Sequence, residues 1–292
     1  MALTDAPLDS HAADVCDGRA VVDGQAVTYA EYGAPDGDPV VFLHGTPGSR
    51  LLGALFHEAA RDRGVRVLAP DRPGYGGSPP WPDRTLADTG HVVAAVLSDA
   101  GVDTAGLVGF SGGGPHALAA AATRDDLVTA VDVVAGALPP DARTTTPAPV
   151  RLFERLATTT PRLLGGLLRV QALVAARASP SLVVSQYAAD PDSVADEVAA
   201  LVARDFVEAL ETHRQGFVRE TRLLADDWDV SLGDVDGPAR LWYGGADTNV
   251  GGDAAALGRR LPAAQTTTFP EADHLGTLLR SREPVLDRYA TE

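Results

Sequence analysis

The chain predicts an α/β fold: a mostly parallel, doubly wound sheet with helices on both faces and a helical insertion. Three observations lead there. Short apolar runs alternate with helical stretches of roughly 10–15 residues, as parallel strands joined by crossover helices require. The alternation stops near Pro139 and resumes near Ala239. Several apolar runs end in Gly-rich turns, and open α/β sheets bind their ligands at the carboxyl ends of the strands.

In chain order, residues 1–17 read as a polar, frayed start. Ala20–Val22 and Ala26–Tyr32 flank Asp23-Gly24, a hairpin signal. Pro39–Leu43 is a short apolar run entering a Gly-rich turn, Leu51–Arg63 has helical spacing, and Val65–Ala69 is a second run ending at Asp71. Leu86–Asp99 reads as helix, Ala105–Phe110 as strand, Gly112–Thr123 as helix and Val128–Val134 as strand. From Pro139 to Val235 the pattern is helical throughout, with candidates Val150–Thr158, Pro161–Arg177, Asp192–Val202 and Phe206–Leu224. Strand Ala239–Tyr243, helix Ala254–Arg260, strand Gln265–Phe269 and helix Leu275–Tyr289 complete the chain. Both flanks of the insertion return to one sheet. The expected organisation is therefore a core of residues 18–138 and 236–292 with a helical cap, 139–235.

Composition removes whole classes of function. The 292 residues carry a formal net charge of −16, a surface that repels polyanions and excludes nucleic acid as a partner. The longest apolar stretch, Leu163–Ala178, is interrupted by Arg169, Gln171 and Arg177, so no membrane span is expected. Cys16 is the only cysteine, which excludes an internal disulfide and a Cys-based zinc site. Met1 to Cys16 lacks the basic and apolar regions of a secretory signal, and the expectation is cytoplasmic. All 24 basic residues are Arg, and the 40 acids are 30 Asp and 10 Glu. A GC-rich genome accounts for missing lysine but not for the carboxylate excess. The balance resembles that of proteins from salt-accumulating halophiles, where salt screens self-repulsion.

Gly109-Phe110-Ser111-Gly112-Gly113 fits G-x-S-x-G between an expected strand and an expected helix, the context that gives the motif meaning. The turn lifts a serine hydroxyl above the sheet, with small neighbours letting helix and strand approach. His44-Gly45-Thr46-Pro47-Gly48 follows another strand and is placed to aim the Thr46 N–H at the same crevice, an oxyanion hole completed by the Gly112 N–H. His44 itself reads as a tie for that turn, and Asp71, in Asp71-Arg72-Pro73-Gly74, as a loop anchor. A nucleophilic serine needs a base, and the base an orienting acid, in the chain order Ser, acid, His. His274 in Ala272-Asp273-His274-Leu275-Gly276 and Asp247 in Gly244-Gly245-Ala246-Asp247 both follow strands in that order. Of the other histidines, His116 lies within a helix as a wall residue. Asp141 and Asp273 are the rival acids, Asp273 being too near His274 in sequence to face it easily.

Together these motifs make the sequence resemble the α/β-hydrolase fold family over residues 18–290. The resemblance implies a Ser–His–Asp triad of Ser111, His274 and Asp247, an oxyanion hole of Thr46 and Gly112, and a helical cap. It implies cofactor-free hydrolysis of a small-molecule carboxylic ester, or the same triad in C–C bond, lactone or amide hydrolysis or perhydrolysis; a non-catalytic binding module is the remaining alternative. Serine at the elbow separates the chain from dehalogenase and epoxide hydrolase branches, which use Asp. Gly112, where proline iminopeptidases carry Trp, weakens the likeness to that branch. Within the cap, Leu163, Leu164, Leu167, Leu168, Leu173 and Val174 either line an apolar acyl pocket or pack between cap helices.

Overall fold

A computed structural model describes residues 16–290. Eight strands form one sheet in the order β1-β2-β4-β3-β5-β6-β7-β8. β1 (Cys16–Val22) and β2 (Gln25–Gly33) make the hairpin, turning at Asp23-Gly24 with φ of 49° and 79°. β2 also runs antiparallel to β4 (Val65–Pro70). The others, β3 (Asp38–Leu43), β5 (Ala105–Phe110), β6 (Val128–Val134), β7 (Ala239–Gly244) and β8 (Ala264–Phe269), are joined in parallel. β5 is buried at every position, as a central strand covered on both faces must be.

Side chains alternate across the sheet into two apolar layers. Phe42, Val67, Val108 and Trp242 point to one, and Val41, Leu68, Leu107 and Leu241 to the other. The second layer is closed by α2 (Thr89–Asp99) and α3 (Gly113–Thr123), and the first by α1 (His57–Asp62) and α10 (His274–Leu286).

Between β6 and β7 the chain is helical: α4 (Ala148–Thr159), α5 (Pro161–Ala175), α6 (Pro180–Val184), α7 (Asp196–Glu211) and α8 (Gln215–Ala225). α9 (Ala254–Gly258) follows β7.

Several boundaries differ from the pattern reading. Residues 1–15 of the expected polar start lie outside the described residues, while Cys16 and Asp17 are strand, opposite Glu31 and Ala30. Leu51–Arg63 divides into a 3₁₀ turn, Arg50–Phe56, and the short α1. The break expected after Val202 falls at Thr212–Arg214, because Ala203-Arg204-Asp205 contains no helix breaker and Asp205 makes its contacts from within α7. α6, five residues long and opened by Pro180 in its first turn, carries too little periodicity to show in sequence.

Candidate active site

Ser111 stands between β5 and α3 with φ of +52°, a left-handed conformation that a non-glycine residue holds only when its surroundings enforce it. The enforcement is visible. The Ser111 N–H donates to the Val134 carbonyl at 2.9 Å, and its carbonyl accepts from the N–H groups of Gly114 and Ala137, each at 3.0 Å. A Cβ at Gly109 would come within 2.5 Å of the Gly113 carbonyl, so helix and strand touch there as backbone. A Cβ at Gly112 would lie 2.2 Å from Thr46 Oγ1 and 3.3 Å from Thr46 N. The elbow and the turn after β3 are thus in van der Waals contact, which brings Thr46 and Gly112 together beside Ser111.

His274 opens α10, its side chain 3% exposed. Nδ1 lies 2.7 Å from Asp247 Oδ2 and donates to it. Asp247 follows β7, and its other oxygen accepts from the N–H groups of Asn249 (2.8 Å) and Val250 (3.3 Å). Burial pushes the Asp247 carboxyl up. The His274 hydrogen bond and charge, with those two amides, outweigh burial and hold it below the ordinary range. The His274 ring sits 5.0 Å from that of Phe110, the neighbour of Ser111, and stacks at 6.4 Å on Tyr187. Ser111, His274, Thr46 and Gly112 all line one cavity of about 460 Å³.

The rival acids are engaged elsewhere. Asp141 is exposed and paired with Arg260. Asp273 caps α10 through the Gly276 N–H (2.7 Å) and accepts from the Ala189 N–H (2.8 Å). Asp71 is fully buried, accepting from Arg50 N–H (2.6 Å), Arg50 Nη1 (3.0 Å) and Gly77 N–H (2.9 Å), and burial lifts its carboxyl to about 6. His44 is locked as a neutral tautomer: Nε2 accepts from the Arg72 N–H at 3.1 Å, so Nδ1 donates to the Gly45 carbonyl at 2.8 Å. Burial drives its pKa well down.

The apolar lining departs from expectation. The cavity wall is built by Phe153 of α4, Phe217 of α8, Tyr187 and Leu138. Leu164 and Leu168 are buried between helices, and Leu163, Leu167, Leu173 and Val174 face solvent; α4 and α8 line the cavity and α5 contributes no residue to it.

A buried ionic cluster behind the turn after β3 has no counterpart in the sequence reading. Glu220 of α8 is fully buried. It accepts from Arg72 Nε and Nη2 (each 2.8 Å), Arg84 Nη2 (2.8 Å), Tyr75 OH (2.9 Å) and Thr46 Oγ1 (2.7 Å). Burial opposes its charge, but Arg72, Arg84 and their hydrogen bonds prevail and keep its pKa well below the carboxylate range. Arg72 in turn donates to the carbonyls of His44 and Gly45. His116 closes the cluster: Nδ1 is 2.7 Å from Thr89 Oγ1, Nε2 is 3.3 Å from Glu220, and burial pushes its pKa down to about 4. The one sequence signal was a carboxylate on the buried face of α8, with Gly216, Phe217 and Thr221.

Residues 38–281 match the profile of the alpha/beta hydrolase fold family. A dihydrolipoyllysine-residue acetyltransferase component of the acetoin cleaving system from Pseudomonas putida is 27% identical over 268 residues, 88% of this chain; the chain spans 64% of that relative's length. Among solved structures, the enol-lactonase from Burkholderia xenovorans LB400 superposes with a TM-score of 0.71 at 20% identity, covering 92% of this chain and 98% of the other. A thermophilic esterase from Thermogutta terrifontis gives 0.69 at 20%, covering 94% and 100%.

Proposed function

The chain belongs to the alpha/beta hydrolase fold family, and from that premise we propose that it is a serine hydrolase that cleaves carboxylic esters through an acyl-enzyme. The observation that carries the proposal is the Asp247–His274 hydrogen bond of 2.7 Å, with His274 lining the same cavity as the strained Ser111. Ser111 Oγ attacks the acyl carbonyl while His274 Nε2 takes its proton. Asp247 holds Nδ1 protonated, leaving Nε2 free as the base, and stabilises the imidazolium that forms. The N–H groups of Thr46 and Gly112 receive the oxyanion, each donor being worth roughly 3–4 kcal/mol where such donors have been removed. His274 returns the proton to the departing alcohol, and a water molecule repeats the sequence on the acyl-enzyme.

Apart from substrate and water, every group this cycle uses is a side chain or backbone amide of the chain itself, so the reading is cofactor-free. Residues 139–235 serve as a cap over the core, 16–138 and 236–290. Phe153 and Phe217 of the cap, with Tyr187 and Leu138, favour a small to medium apolar acyl group in a cavity of about 460 Å³.

Turnover of p-nitrophenyl esters of increasing acyl length tests the proposal. Wild type should hydrolyse the short and medium members, and Ser111→Ala should lose that activity while melting at the same temperature. Near-wild-type turnover by Ser111→Ala contradicts it.

A further inference from the structure

Among the described residues, the large apolar side chains left in solvent are concentrated in three successive helices, α4 to α6. Leu152 of α4, Leu163, Leu167, Val170 and Val174 of α5 and Leu182 of α6 are each 48–59% exposed. Of the other large apolar residues that stand out, only Val21 lies beyond α4–α6. α5 buries one stripe, Leu164, Leu168, Ala172 and Ala175. Leu163, Leu167, Val170 and Val174 form a second stripe at helical spacing with nothing over it.

Charge is concentrated there too, with the opposite sign to the rest of the molecule. Residues 142–189 contain six arginines and one carboxylate, Glu154, a net +5 in a chain whose total is −16. The remainder therefore carries −21. Glu154 is taken by Arg143. Arg151, Arg155, Arg162, Arg169 and Arg177 are all exposed, and none forms an ion pair among the described residues.

We propose that the outer face of α4–α6 docks on an anionic lipid surface. The leucines and valines enter the boundary between headgroups and acyl chains, and the arginines meet the phosphates, the division of labour of an interfacial amphipathic helix. The charge favours lipid over a second copy of the chain. A two-fold dimer through this face would set the same patch against itself, five surplus positive charges opposing five. Exposed carboxylates flank the segment at Asp141, Asp190 and Asp192, with the arginines of α4 and α5 between those ends. The acidic core below lies a helix layer away, about 10–12 Å, more than the Debye length of about 8 Å at 0.15 M salt. α4 also carries Val150 and Phe153 into the wall of the Ser111 cavity, so the docked face adjoins that site. The inference does not depend on the chemistry of Ser111.

The test is flotation of the full chain with vesicles of phosphatidylcholine alone or mixed equally with phosphatidylglycerol, at about 0.15 M KCl. Wild type should float with the mixed vesicles and not with phosphatidylcholine alone. Arg162→Gln with Arg169→Gln should lower the partition coefficient about 25-fold, at about fivefold per arginine. Leu163→Gln, Leu167→Gln, Val170→Gln and Val174→Gln combined should abolish flotation. These sites are exposed, so both variants should melt as wild type does. Three results overturn the proposal: wild type that floats with neither vesicle, variants that float as well as wild type, or a wild-type dimer in sedimentation equilibrium that the glutamine substitutions dissociate.

Discussion

Replacing Glu220 by glutamine tests whether α8 holds in place the turn after β3, the proposed source of an oxyanion donor. The carboxylate neutralises two buried guanidiniums and accepts from Tyr75 and Thr46. Glutamine keeps one acceptor oxygen and turns the other position into a donor facing Arg72 Nη2, while the two hydroxyls can rotate to accept. Full removal of one partner from a buried ion pair costs about 3–5 kcal/mol, a large part of a typical stability of about 5–15 kcal/mol, so alanine risks unfolding and glutamine is the usable probe. We expect glutamine to cost about 3 kcal/mol, near the lower bound of that range. With an unfolding entropy of about 2.1 cal/mol/K per residue, that lowers Tm by about 5 °C for a chain of this length. On the proposed mechanism Glu220 acts through Thr46, whose hydroxyl it accepts from, as a positioning residue. Its loss should lower kcat about 10- to 100-fold, part of what a missing oxyanion donor costs, with KM little changed. Thr46→Val cuts the hydroxyl contact but keeps the backbone N–H. Its effect should be contained within that of Glu220→Gln, and the double variant should be markedly less than additive. The assay is ester turnover well below the lowered Tm. Unchanged kcat in Glu220→Gln would show that the turn is held without α8 and would refute the reasoning.

Asp247→Asn should lower kcat by up to roughly 10⁴-fold, because the His274 tautomer is lost, while Asp141→Asn should be near neutral; the reverse ranking would put the acid at the wrong strand end. Asp205 is fully buried against Ser49 N–H and Oγ, both at 2.7 Å, and burial raises its carboxyl to about 7 from an ordinary 3.8. The folded state then binds the proton more tightly than the unfolded one, so this group's contribution is intact below about pH 4 and is lost as pH rises to about 7. Melts of Asp205→Asn should therefore gain on wild type across that window, and a difference in Tm independent of pH would contradict the burial argument. With a net charge of −16 and no lysine, Tm should rise from about 0.1 M to molar KCl as the Debye length falls from about 10 to about 3 Å; a flat or falling Tm would leave GC bias as the account of the composition.

How far the sequence carries depends on how local each signal is. The sheet rhythm was legible because β5 is buried and apolar throughout, as are Val40–Leu43 of β3 and, apart from Asp132, the last five residues of β6. The elbow was legible because its glycines answer a steric demand within five residues, Gly109 to Gly113. The pairing of His274 with Asp247 followed from strand-end position and chain order, both one-dimensional facts. Glu220 was not legible, because its partners Arg72 and Thr46 lie 148 and 174 residues away. Nothing local to α8 says that its one buried carboxylate meets two arginines. The apolar residues of α5 were ambiguous for a different reason: a helix apolar on both faces fixes neither which stripe is buried nor what the other meets.

The central claim is that Ser111 is the nucleophile. Incubation with a fluorophosphonate, followed by intact mass measurement and peptide mapping, tests it most directly. The account predicts one adduct per chain, on Ser111, lost in Ser111→Ala and strongly slowed in His274→Ala, both variants still folded. An adduct on another residue, or undiminished labelling of Ser111→Ala, would contradict it.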